Sequence, residues 1–309
     1  MSNLVKPTDS GLIVSLPWSR PTDSTLPVGL LHGKRSVKSA IPVWNQAIIA
    51  LSSAWFRSYC SSMALTTRHK LNKSLQSAFP RGTPFDHQEL TKLGVSSALA
   101  HHYLKSGWLA RLGRGVFMFP NDTLRRDDCL KFLSRRVEGF HVGGKTALAW
   151  RGVRHNLPAR EPLSLWGEGK TRFPEWFQKL FPARYTTRNP FSSKLPKNFG
   201  LQPLPETPDG VLVSVPERAL LEMLSEVGVY QGIEEARNIM EGARSLRPEV
   251  LTTLVKNCRR VKVVRLCVSW AEELNLPWAA AAKKAAGKSL SSGRWTTRLK
   301  DGTLLVLKP

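Results

Sequence analysis

Acidic side chains are scarce in this 309-residue chain, where 23 Asp and Glu stand against 46 Lys and Arg, for a formal net charge of +23. That surplus makes a polyanion the first partner to expect. Cysteine is scarcer still. Cys60, Cys129, Cys258 and Cys267 form no CxxC pair and have no histidine at zinc spacing, which argues against a disulfide framework and a metal site and suits a reducing cytoplasm. Long apolar runs are missing too. The best stretch, Ile41 to Phe56, is broken by Asn45, Gln46, Ser52 and Ser53, falls short of the roughly 20 residues a bilayer needs, and begins too deep for a signal peptide. No membrane association is expected. What the chain does have is 41% hydrophobic residues, enough to exclude a wholly disordered protein and to build two modest domains.

The chain changes character twice. Residues 1–62 carry 12 serines, prolines at 7, 17, 21, 27 and 42, and three isolated tryptophans, with no helical or alternating period. This stretch reads as a disordered or non-native extension ahead of a start at Met63, with a basic arm that tracks phosphates as the alternative. From residue 63 the signals become regular. Leu71, Leu75 and Phe79 mark one helix face, stopped by Pro80-Arg81-Gly82. Asp86 is placed to cap a second helix over His87 to Leu93, ended by Gly94. Ser96 or Ser97 caps a third, which Gly107 ends. Trp108 to Leu112 and Val116 to Phe119 then alternate as strands around Gly113-Arg114-Gly115, whose glycines are expected to supply the positive φ of a tight turn.

Three short helices and a two-stranded wing make a winged helix-turn-helix over residues 63–122. Leu99 and Tyr103, with Val95 and Trp108 beside the helix, are expected to face the core. Ser97, Ala98, His101, His102 and Lys105 then lie on the opposite face, small or hydrogen-bonding groups suited to reading base edges in a major groove. Arg111 and Arg114 lie on the wing, within reach of the DNA backbone or a minor groove. No acid occurs between Glu89 and Asp122 to repel phosphate. Adjacent His101 and His102 diverge on a helix, which argues against a metal site and leaves ordinary surface histidines as the alternative. A protein-docking winged helix is the alternative for the domain as a whole.

The run from Leu93-Gly94-Val95-Ser96 through Gly107-Trp108-Leu109-Ala110-Arg111-Leu112-Gly113-Arg114-Gly115-Val116-Phe117 resembles the N-terminal domain of AbiEi-type antitoxins, the transcription-regulating partners in type IV toxin–antitoxin systems. Gly143-Gly144-Lys145-Thr146-Ala147-Leu148, the segment Val213 to Glu222, and Arg260 to Leu266 with Trp278 beyond extend the similarity over residues 63–309, with Phe117 standing where the family often has tyrosine. The resemblance implies a repressor of its own operon, active in phage defence by abortive infection. It also implies a nucleotidyltransferase-like toxin as functional partner, countered without a tight direct complex.

The whole is expected to be α+β, with residues 123–309 forming a larger mixed α/β antitoxin domain. Helices are expected over Gly144–Trp150, Pro174–Phe181, Ile233–Glu241, Pro248–Cys258 and Val261–Leu274, and strands at Leu163–Trp166 and Val211–Val213. A last hairpin turns at Lys300-Asp301-Gly302. Ser214 and Glu217 have the spacing of a capping box ahead of a helix striped by Leu220, Leu221 and Leu224. Lys256, Arg259, Arg260, Lys262 and Arg265 cluster as a second basic surface, which would bend DNA, occlude RNA or simply be solvated. Lys283, Lys284 and Lys288 beside an alanine run read as a solvated helix face.

Enzyme signatures are thin. Asp-x-Asp, the metal-binding pair of a nucleotidyltransferase, does not occur, Asp127-Asp128 diverge, and no Glu-x-Lys follows Pro208-Asp209. Gly143-Gly144-Lys145-Thr146 echoes a phosphate-binding loop but is read as lacking its first glycine. No cofactor and no catalysis are expected; a nucleic-acid-processing enzyme targeted by its winged domain is the alternative.

Overall fold

The computed structural model describes residues 70–153, 161–290, 295–298, 302 and 304–307. The expectations for residues 1–62 and Met63, and for the turn at Lys300-Asp301, lie outside them, as does the side chain of Lys288. The head opens with α1 (residues 70–78), which buries Leu75 and Phe79 and packs Leu71 against them. At α2 (His87–Lys92) the Asp86 carboxylate accepts the Glu89 N–H at 2.9 Å while the Glu89 carboxylate accepts the Asp86 N–H at 3.0 Å, a reciprocal cap. Gly94 at φ +85° then turns the chain and Val95 drops into the core. Of the two candidate serines it is Ser96 that caps α3 (Ser97–Lys105), accepting the Leu99 N–H at 3.3 Å.

Beside these helices lies an antiparallel sheet in the order β1-β3-β2, made of β1 (Phe85–Asp86), β2 (Ala110–Gly113) and β3 (Val116–Met118). β1 is too short to announce itself in sequence and forms because Phe85 is buried between Phe79, stacked at 4.3 Å, and Phe119 at 5.4 Å.

Two local expectations fail here. Trp108 is 51% exposed, because Gly107 at φ +75° swings the chain so that Leu109 enters the core instead. Gly113 does not supply a positive φ. It pairs with Val116 inside the strand, leaving Arg114-Gly115 as the turn with only Gly115 at φ +69°. The absence of a Cβ at Gly113 serves packing, since a Cβ there would lie 3.3 Å from Trp176 Cδ1.

The body follows as α4 (Arg126–Ser134), β4 (His141–Val142), α5 (Gly144–Trp150), β5 (Leu163–Trp166), α6 (Glu175–Leu180), β6 (Ala183–Thr186), β7 (Leu201–Gln202) and β8 (Val213–Ser214). Then come α7 (Pro216–Glu226), α8 (Ile233–Glu241), α9 (Pro248–Lys256), α10 (Val261–Glu273), α11 (Ala279–Ala286) and the hairpin β9 (Trp295–Arg298) with β10 (Leu304–Leu307). Its sheet runs β6-β5-β4-β8-β7, parallel at β5–β6 and β4–β8 and antiparallel elsewhere.

α7 is the centre of the body. Every residue from Glu217 to Ser225 is buried, so the expected leucine stripe covers the whole circumference. α5 lies alongside it, α8, α9 and α10 pack against it, and α11 packs on α9 and α10. The three described cysteines, Cys129, Cys258 and Cys267, are free and buried, and burial pushes the Cys129 and Cys267 thiols up to about 12. No described helix is long and apolar enough to cross a membrane.

Candidate nucleic-acid interface

Packing of α3 decides which of its residues meet solvent. Ala100 and Tyr103 are buried and Leu99 half-buried, and with a period near 3.6 this leaves Ser97, Ala98, His101, His102 and Lys105 exposed together. Arg111 and Arg114 are exposed on the wing. One contributor has no sequence signal. The His87 Nε2 lies 2.8 Å from the Ser97 hydroxyl and its backbone N–H donates to the Gly115 carbonyl at 3.1 Å, so one residue ties the start of α3 and the wing turn to α2. Ten residues separate His87 from Ser97, a spacing only the turn between helices brings together.

The acids nearest this surface in sequence are occupied from the body. Arg136 Nη2 donates to Asp86 Oδ2 at 2.9 Å and Arg135 Nη1 pairs with Glu89. Burial would raise the Asp86 carboxyl, but the Glu89 N–H and Arg136 outweigh it and hold it below its ordinary value. Leu112 and Met118 pack against the body's core, so the wing is fastened there as well. Replacing both Arg135 and Arg136 by alanine is expected to weaken duplex binding about three- to tenfold, by freeing two negative charges and loosening α2, while global stability falls by no more than about 2 kcal/mol. A gel shift alongside a thermal melt separates the two effects.

One of the five cations expected to form a second basic surface is not on the surface. Arg265 is 3% exposed and belongs to the interior, because Arg265 lies among Val264, Leu266 and Val268 on the buried part of α10. Arg259 donates to the Phe191 carbonyl at 3.1 and 3.2 Å, Lys262 to the Val227 carbonyl, and Lys256 is exposed at the end of α9. Arg260 and Lys262 instead join cations from elsewhere in the chain. Lys283 and Lys284 are exposed, as their helix face implies.

The Val213-to-Glu222 segment and the Gly143-Gly144-Lys145-Thr146 motif meet at one atom group. Ser214 does not cap α7. Val215 occupies the cap position, and the Ser214 hydroxyl donates to Glu222 Oε2 at 2.8 Å, while Glu217 accepts two side-chain bonds from Arg247 at 2.9 and 3.0 Å. The capping-box expectation fails because Pro216 begins the helix and both polar side chains are drawn to partners distant in sequence.

Glu222 is fully buried and accepts from the Gly144 N–H at 3.1 Å and Arg218 Nε at 2.8 Å, with His141 Nε2 at 3.1 Å. His141 Nδ1 lies 2.8 Å from the Gly139 carbonyl, which can only accept, so the ring also donates there. Arg218 Nη1 reaches the Phe199 carbonyl at 2.6 Å.

The first glycine of a phosphate loop is not missing from the sequence. Gly139 does stand five residues before Gly144, so residues 139–146 satisfy the full glycine-lysine-threonine pattern. Geometry rejects it. His141 and Val142 are strand, not loop, the Gly144 N–H is spent on Glu222, and Lys145 pairs with Glu161 and Glu235. Among the described residues no group of three His, Cys, Asp or Glu is placed to hold a metal ion.

A helix-turn-helix with a β-wing on a mixed α/β body is the architecture of a winged-helix regulator. The chain belongs to the AbiEi family: residues 67–159 match the model of the AbiEi antitoxin N-terminal domain, a transcriptional regulator, and residues 160–306 that of the AbiEi antitoxin transcriptional regulator of type IV toxin–antitoxin systems. Among solved structures, the chain is similar to the RV2827C protein from Mycobacterium tuberculosis, at 15% identity and a TM-score of 0.45, covering 67% of this chain and 76% of that one. None of the curated proteins compared with the chain matches it.

Proposed function

We propose that this antitoxin represses its own operon from the cytoplasm by seating α3 in a major groove of its operator. Ser97, Ala98, His101 and His102 meet base edges, Lys105 meets phosphate, and Arg111 and Arg114 on the wing reach the flanking backbone. Residues 63–122 act as the DNA-binding unit. Residues 123–309 support neutralisation of a nucleotidyltransferase-like toxin without a tight direct complex, and the chain itself catalyses nothing.

The observation that carries this reading is the exposed, acid-free face of α3 beside an arginine-tipped wing, with Asp86 and Glu89 neutralised from the body. Gel retardation of the fragment upstream of the chain's own gene tests it, and no retardation at low ionic strength overturns it. Arg114→Ala is expected to weaken every duplex alike and to flatten the salt dependence by about one unit of slope. His101→Ala and His102→Ala are expected to change sequence preference. An equal loss on all sequences would remove the histidines from base readout, and a toxin that co-purifies in stoichiometric amount would overturn the indirect mode of neutralisation.

A further inference from the structure

β6 and the segment after it, the turn after α7 and the start of α10 converge on Glu226. From β6, Arg184 Nη1 donates to the Tyr230 carbonyl at 3.1 Å, and its guanidinium lies 5.5 Å from the centre of the Tyr230 ring. Arg184, Arg188 and Arg260 all act on the Glu226 carboxyl, yet that carboxyl is held above its ordinary value, chiefly by burial and further by Glu222. Arg260 is held low by burial and then by the charge of Arg188; Lys262 is held low by burial and then by Arg260. Three arginines therefore bear on one buried acid and Lys262 stands beside Arg260, four cations in all.

Among the described residues none of the four enters an ion pair, although acids elsewhere on the surface, such as Glu138, Glu168 and Glu273, are paired. The first turn of α10 holds no acid either. Stability alone would favour carboxylates here. Tyr230, 53% exposed, and Val261, 42% exposed, give this cationic ground an aromatic and apolar surface.

Cations beside a half-exposed aromatic ring suit phosphates joined to a base whose face is free. Duplex DNA hides those faces in its stack; a single strand presents them. We propose that Arg184, Arg188, Tyr230, Arg260 and Lys262 form a binding surface for single-stranded nucleic acid, with phosphates on the cations and an unpaired base on Tyr230. This surface does not depend on duplex recognition by the head.

The test uses the full chain and fluorescence anisotropy with three labelled probes of equal length: oligouridylate, oligothymidylate and a blunt DNA duplex. Both single strands are expected to bind the unaltered chain. Tyr230→Ala is expected to weaken them about tenfold, with Tyr230→Phe close to the unaltered chain. Removing Arg188 and Arg260 together is expected to flatten the single-strand salt slope by about 1.4 units. Arg114→Ala is expected to leave single-strand affinity unchanged while lowering duplex affinity. A loss confined to oligouridylate supports the proposal and assigns the strand as RNA; an equal loss on both assigns recognition to base and phosphate. Absence of single-strand binding, or single-strand affinity that follows Arg114 and ignores Tyr230, overturns it and leaves the duplex reading of the head standing.

Discussion

Glu222→Ala is expected to destabilise the chain by about 3–5 kcal/mol, read as a lowered midpoint in chemical denaturation, because the substitution strands a buried guanidinium and leaves a buried imidazole without its partner. Arg218 is buried with its Nε on Glu222, and His141 is buried with one ring nitrogen on the same carboxylate. The Ser214 hydroxyl and the Gly144 N–H lose their acceptor as well. A loss below about 1 kcal/mol, the worth of an exposed pair, would show that this network is not the buried joint described here.

Acid titration supplies an independent signature. Burial alone would raise the Glu222 carboxyl, but the charge and hydrogen bond of His141, then those of Arg218, lower it from 4.5 to about 2. A depressed folded-state value means that this contribution to stability is complete above the ordinary carboxylate value and is lost as pH falls from there through about 2. The unaltered chain is expected to lose stability in that window more steeply than the Glu222→Ala chain. Parallel curves would contradict the assignment.

Gly143→Ala is expected to cost about 3 kcal/mol or more. A Cβ at this position would stand 2.3 Å from Glu222 Oε2 and 2.6 Å from Trp166 Cδ1. Neither atom has room to retreat: Glu222 is held by its partners and Trp166 is buried on β5. For a domain of this size the melting temperature should drop by about 6–12 °C. Gly232→Ala provides the control, since nothing lies within 4 Å of the added methyl and φ there is −68°, so its effect should stay within about 1 kcal/mol. The two glycines thus separate close approach from backbone freedom. A mild Gly143→Ala would mean that the motif tolerates a side chain, leaving the packing of α5 against Glu222 unexplained.

Local chemistry was legible wherever the determining groups are neighbours in the chain. The Asp86–Glu89 cap, the Gly94 turn, the bounds of α5, β5 and α8, and the buried spacing along α10 all follow from residues within about four positions of one another. The exposed face of α3 was legible for the same reason, because one face of a short amphipathic helix fixes the other. Signals failed where distant partners outbid local ones. Ser214 and Glu217 have capping spacing, but Glu222 and Arg247 claim them, and the glycine-lysine motif has a nucleotide-binding spacing but serves a carboxylate. Trp108 looked like core because it follows a helix, and the left-handed Gly107 put Leu109 there instead.

By itself the sequence determined that the chain is strongly basic, that a helix-turn-helix with a wing stands ahead of a larger mixed domain, and which face of the third helix stays in water. Only the tertiary structure decided that α7 would be sealed on all sides around Glu222, that Asp86 and Glu89 would be neutralised by arginines about fifty residues away, that Arg265 would leave the surface, and that Arg184, Arg188 and Arg260 would bear on Glu226 with Arg184 against Tyr230. The physical reason is range. Propensity and periodicity act over one or two turns of chain, whereas burial, charge pairing and charge crowding depend on which segments the fold brings within a few ångströms.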